Sequence, residues 1–115
     1  MLPPSVLDKS LEELEHAHRG EPTYDSYLVS TIHRLRRVPL RQFRVEDLRI
    51  MIGQNIGLQY LVPLALEHLR RNPSAQGDYY PGDLLKMVLS ADAEFWQNHP
   101  EWHKEVEEIA HRATA

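Results

Sequence analysis

Residues 53–69 read "GQNIGLQYLVPLALEHL", and three quite different structures place glycines in this way. Gly53 and Gly57 form a GxxxG spacing in apolar surroundings, which can mark the dimer face of a membrane helix. A glycine-rich turn can also wrap a phosphate, or it can simply separate two helices. The membrane reading fails on polarity, because Arg49, Gln54, Asn55, Gln59, Glu67 and His68 fall within residues 48–69 and hydrocarbon does not tolerate that density. The phosphate reading fails because such a loop needs GxxxxGK[ST] between a strand and a helix, and here there is no lysine, no following Ser or Thr, and no strand pattern. What remains is a corner between two core helices, where glycine permits positive φ or close backbone approach. The stretch is structural, and it sets the expected class as all-α.

Helical signals extend outward from this corner in both directions. Upstream, "RVEDLRIMIG" starts a helix near Val45 with Glu46 and Asp47 in its first turn, where carboxylates meet the positive end of the helix dipole. Downstream, a helix runs from about Leu58 to Arg71. Pro63 within it predicts a late start near Val62 or a kink. Toward the N-terminus, Ser10 and Glu13 make a capping box for a short helix to about His16. Asp25 or Ser26 can cap the next, which carries Tyr27, Leu28, Ile32 and Leu35 at helical spacing and ends before Pro39. Toward the C-terminus, "RNPSAQGDYYPGD" is a long linker, with residues 72–80 at its centre. Pro81 and Asp83 open a further helix to about Ser90, Asp92 caps a short one around Phe95 and Trp96, and Pro100 takes the first position of a last one to about His111. These signals predict a single helical domain over residues 1–115, a compact bundle of six or seven short helices, with residues 1–9 poorly ordered.

The chain has 115 residues, 42% of them hydrophobic and 26% charged, which suits one domain with a real core. It has no cysteine, so disulfides, thiolate metal sites and a cysteine nucleophile are all excluded. The start, "MLPPSVLDKSLEELEH", has neither the basic nor the apolar region of a secretory signal, and a cytoplasmic location is expected. The formal net charge of -4 argues against bulk affinity for nucleic acid or an anionic membrane surface. That charge is segregated. Residues 1–25 carry six acids against Lys9 and Arg19; residues 26–49 carry six arginines against Glu46 and Asp47; residues 50–115 carry nine acids against five bases.

No constellation of catalytic chemistry emerges. His99 and His103 have i, i+4 spacing, but His99 precedes Pro100 and falls outside the helix, and there is no HExxH pattern. His16 and His18, at i, i+2, point apart. No GxSxG elbow occurs. "RLRRVPLRQFR" offers only Phe43 as a stacking platform, and Val38 to Arg44 is too long for the turn of a helix-turn-helix. Its arginines are expected to be solvated or paired with the acidic N-terminus. Trp96 and Trp102 are expected in the core. Tyr79 and Tyr80 have two readings: interface anchors with an apolar body and a polar tip, or core plugs flanked by Asp78 and Asp83 as turn or cap residues. The reading is therefore of a non-enzymatic protein with no cofactor and no metal.

Four stretches, "SLEELEH", "LRRVPLRQFRVEDLRIMIGQNIGLQYLVPLALEHL", "GDYYPGDLL" and "FWQNHPEW", together resemble a family of small all-helical immunity proteins from bacterial contact-dependent growth inhibition systems. The positions that carry the likeness are Pro39, Leu40, Phe43, Glu46 to Arg49, Gly53, Gln54, Gly57, Leu61, Pro63, Leu64, Gly77, Asp78, Tyr80 to Leu84, Phe95 and Trp96. Arg44 departs from it, since a threonine cap would be expected before Val45. The resemblance implies a protein that binds and neutralises the C-terminal toxin domain of a secreted effector, with an RNase as the first expectation for the toxin. It would act stoichiometrically, as a monomer when free, without touching nucleic acid or membrane. The alternative is a helical adaptor or regulatory module with another partner. The resemblance does not carry contact residues across, and these are read from charge and linker composition instead. Glu12, Glu13, Glu15, Glu21 and Asp25 form one candidate face, and Asp78, Tyr79 and Asp83 form the other. An acidic face would speed capture of a basic nuclease.

Overall fold

Helix ends set by local hydrogen bonds divide this chain into short segments, and the resulting architecture is all-α. The structure, a computed structural model, describes residues 2–16 and 26–114. They form eight α-helices and one 3-10 turn, with no strand among the described residues. The described residues fall into two compact units, 2–43 and 44–114.

In the first unit, α1 (Pro4–Leu7) is a single turn in a stretch where the sequence signals no element. α2 (Leu11–Leu14) follows the predicted capping box: Glu13 N–H donates to Ser10 Oγ at 3.2 Å, and Ser10 N–H donates to Glu13 Oε1 at 3.1 Å. α3 (Tyr27–Leu35) is capped by Ser26, whose Oγ accepts from Val29 N–H at 3.1 Å; the alternative cap, Asp25, lies outside the described residues. The 3-10 turn Leu40–Gln42 follows and packs on α1. Two main-chain bonds stitch these pieces together, Glu12 N–H to Arg36 O at 2.9 Å and Leu40 N–H to Lys9 O at 3.0 Å. Leu11, Leu35 and Leu40 are buried. The basic stretch is paired as the sequence suggested: Arg41 with Asp8 at 2.8 Å, Arg37 with Glu12 at 3.4 Å and Arg36 with Glu15 at 3.5 Å. By sequence, residues 2–43 hold six acids and six bases and are formally neutral.

The second unit contains α4 (Val45–Gly53), α5 (Leu58–Arg71), α6 (Asp83–Leu89), α7 (Ala93–Asn98) and α8 (Pro100–Thr114). α4 packs against α5 and α6, α6 also meets α5 and α8, α5 meets α8, and α7 lies on α8. On α5, Leu58, Leu61, Val62, Ala65, Leu66 and Leu69 are buried; their i, i+3, i+4 spacing forms one apolar stripe. Each large side chain so buried contributes about 1.5–3 kcal/mol. Leu48, Met51 and Ile52 of α4, Leu84 and Val88 of α6, and Val106 and Ile109 of α8 complete the core.

The corner between α4 and α5 differs in detail from its sequence reading. Gly53 is the last residue of α4, and the left-handed residue that ends the helix is Asn55, with φ 57°. Ile56 N–H bonds to Met51 O at 3.0 Å and Asn55 N–H to Ile52 O at 2.9 Å, the paired bonds of a Schellman cap. Asparagine tolerates this conformation better than other side-chain-bearing residues. Gly57, with φ 63°, then caps α5. That helix runs from Leu58 to Arg71 as the sequence suggested, without the late start near Val62 that Pro63 also allowed, because Pro63 forfeits only the bond to the Gln59 carbonyl, and Gln59 is exposed to water. Asp92 holds the capping position of α7 without a side-chain cap bond; its own N–H donates to Asn55 Oδ1 at 2.8 Å. Pro100 opens α8 as predicted.

Gly57→Ala forces a Cβ into left-handed backbone and is expected to cost about 1–2 kcal/mol, lowering the melting temperature by several degrees, whereas Asn55→Gly eases the left-handed position but gives up the bond to the Asp92 N–H, so it should lower it less. Thermal unfolding followed by circular dichroism distinguishes this from a corner that adjusts freely, in which the two variants would melt alike.

Candidate partner-binding surface

The linker after α5 is fastened to the second unit almost amide by amide. Ser74 N–H donates to Asn72 Oδ1 at 3.0 Å, and Gly82 N–H donates to Ser74 O at 3.1 Å. Between them, the Asp83 carboxylate, at the first position of α6, accepts from Gly77 N–H at 2.7 Å, Tyr79 N–H at 3.1 Å and Tyr80 N–H at 3.4 Å. The remaining amide, that of Asp78, donates to Glu46 Oε1 at 2.9 Å. Residues 77–80 therefore have every backbone N–H bonded to a carboxylate.

Arg49 joins these two carboxylates. Its guanidinium forks onto Glu46, Nε to Oε1 at 2.6 Å and Nη2 to Oε2 at 2.5 Å, and lies 3.9 Å from Asp83 Oδ2. The Arg49 side chain is 8% exposed, that of Glu46 11% and that of Asp83 2%. The guanidinium also lies 4.3 Å from the centroid of the Tyr79 ring, a cation–π distance. Gly77 is required here by close approach, since a Cβ would press on Glu46 Oε1 and come within 3.3 Å of the Glu46 backbone. Glu46 cannot yield cheaply, because both its oxygens are already engaged.

These contacts move the acid–base equilibria. The hydrogen bonds from Arg49 hold the Glu46 carboxyl below its ordinary range. Burial alone would raise the Asp83 carboxyl, but the Gly77, Tyr79 and Tyr80 amides together with Arg49 outweigh it and hold it low. Both groups are therefore ionised at neutral pH, and Glu46 raises the Arg49 pKa further.

The result on the surface is a tip whose backbone is fastened from below. Tyr79 is 70% exposed and Tyr80 43%, so neither is a core plug, and Asp78 beside them is exposed. Asp83 belongs to the fastening beneath the tip. Of the other predicted face, Glu12 and Glu15 bear the arginine pairings described above and Glu13 caps α2; Glu21 and Asp25 lie outside the described residues. Glu46 and Arg49 were missed as site residues, although their i, i+3 spacing and their place among the positions of family likeness were available signals. Trp96 is buried and stacks on His103 at 4.9 Å, while Trp102 is only half-buried and stacks on His99 at 4.3 Å. Among the described residues no group of three His, Asp or Glu side chains is placed to hold a metal ion, and no helix is long and apolar enough to cross a membrane.

Comparison with known proteins gives one family. A family model described as CDI immunity proteins, where CDI is contact-dependent growth inhibition, matches residues 13–106. That span includes α3 to α7, the linker and the first seven residues of α8. No curated protein and no solved structure gives a significant match.

Asp83→Asn removes the charge and much of the accepting capacity that three amides share, and is expected to cost about 2–3 kcal/mol. Because the folded-state pKa values of Asp83 and Glu46 are depressed, their stabilisation is fully present above the ordinary carboxylate range, about pH 4, and is lost as pH falls through the lower folded values. The wild-type protein should lose stability across that acidic window, and Asp83→Asn should lose less. Denaturant midpoints measured from pH 7 to pH 2 test this, and equal slopes for the two proteins would detach Asp83 from the clamp.

Proposed function

The chain belongs to the CDI immunity proteins, and from that premise we propose that it binds the C-terminal toxin domain of a contact-dependent growth inhibition effector and blocks it. The observation that carries the reading is the family match itself, which covers most of the chain. The protein acts by occupancy: one molecule masks one toxin domain, in the cytoplasm, without performing chemistry and without contacting nucleic acid or membrane itself. Free, it is a monomer.

Charge supports a basic target. Residues 44–114 carry eleven acids and seven bases, so the whole formal charge of -4 resides there while residues 2–43 sum to zero. A toxin that cleaves RNA must present a cationic cleft to its substrate, and an acidic inhibitor meets such a cleft with an accelerated encounter rate. An RNase is accordingly the proposed toxin class.

The test is a rescue. The effector's toxin domain is induced in a naive host with and without this protein. Growth is expected only when both are present, together with co-purification of the pair and protection of cellular RNA. Killing that continues in the presence of abundant folded protein would overturn the assignment of this partner.

A further inference from the structure

We propose that the tip of the clamped linker, Asp78–Tyr79–Tyr80, is the anchor that engages the toxin domain, with the Tyr79 ring entering a pocket on the toxin beside a cationic rim. The inference rests on the toxin-binding reading above and assigns it a surface.

Three observations converge on the tip. First, Tyr79 and Tyr80 are two of only five large hydrophobic residues that are exposed among the described residues, and they are adjacent. Tyrosine ranks with tryptophan and arginine among the residues that dominate interface energetics. Second, the tip is pre-organised. The amides of residues 77–80 are tied to Asp83 and Glu46, and the Tyr79 ring is held over the Arg49 guanidinium. A linker of this length would ordinarily lose backbone freedom when a partner immobilised it. Here that loss is taken on folding, so binding energy from the tip is not spent on ordering it. Third, the local charge is negative. Arg49 is absorbed by Glu46 and Asp83, and Arg44 by Asp47, so these six clamp and tip charges, Asp78 included, sum to -2. A cationic partner surface complements that sum.

The same geometry separates two kinds of residue. Tyr79, Tyr80 and Asp78 present side chains to the partner. Glu46, Arg49, Gly77 and Asp83 are positioning residues, which set where those side chains stand.

The experiment is binding of full-length protein to the purified toxin domain by surface plasmon resonance at several salt concentrations, alongside thermal melts and amide hydrogen exchange. Tyr79→Ala is expected to raise Kd by about 30-fold or more with intact exchange protection at residues 77–80 and only the small drop in melting temperature that loss of the cation–π contact entails. Asp78→Lys should slow association and weaken its salt dependence. Gly77→Ala should also raise Kd, but with the protection at residues 77–80 lost, which marks it as positioning. The double exchange Glu12→Gln, Glu15→Gln, which removes the charge of that segment but keeps the Glu13 cap of α2, should leave the affinity close to wild type. Wild-type affinity in Tyr79→Ala overturns the proposed surface while leaving toxin binding intact, and a loss in the double exchange alone, at an unchanged melting temperature, would move the contact to that segment. If the wild-type protein fails to bind the toxin domain at all, the functional reading falls and the surface assignment with it.

Discussion

The placement of Arg49 is the constraint on which the second unit depends. A guanidinium that is nearly excluded from water must be matched in charge and geometry, since desolvation otherwise exceeds the Coulombic gain. Glu46, one helical turn away on α4, supplies a two-pronged partner, and Asp83, at the start of α6, supplies the second charge. Replacing such a cluster with hydrocarbon is often neutral or even stabilising, so net stability is a poor account of it. What hydrocarbon could not supply are carboxylate oxygens that accept hydrogen bonds. Those oxygens bond four successive main-chain amides, those of residues 77–80.

The features legible in the sequence were those whose partners lie close by in the chain. Ser10 and Glu13, Ser26 and the opening of α3, and Pro100 at the start of α8 could all be read because a cap is a three- or four-residue affair. The pairing of the arginine run with the acidic N-terminal segment was legible from charge alone. Asn55 was not, because Gly53 and Gly57 are stronger breakers on propensity, and the choice was made by Asn55 serving two purposes: it takes the left-handed position and its amide oxygen holds the Asp92 N–H. Pro63 left the start of α5 open between Leu58 and Val62 for a similar reason. The cost of a proline inside a helix depends on what becomes of the freed carbonyl, and that depends on which face looks outward.

The tip of the linker shows the limit most clearly. "GDYYPGD" by itself does not decide whether its tyrosines face inward or outward. Asp83 and Gly77 act there together with Glu46, 32 residues earlier than Asp78, whose close approach Gly77 allows. Composition could nominate Asp78, Tyr79 and Asp83 as a group, but it could not reveal that Asp83 turns beneath the loop while Tyr79 stands above it.

That division carries an argument about specificity. The amides of residues 78, 79 and 80 are fixed by carboxylates belonging to Glu46 and Asp83, and an amide donates equally well whatever side chain its residue bears, proline excepted. The backbone of the tip is therefore indifferent to what residues 78–80 display, within the limits of φ/ψ space. The demanding positions are Gly77, where no Cβ fits, and the three charged groups underneath. A recognition loop built in this way can change the chemistry it presents without being refolded, because the interactions that hold its shape and those that meet a partner use different atoms. Protein pairs that must distinguish their own partner from similar ones need that freedom, since discrimination arises from side chains that clash or mismatch as much as from those that fit.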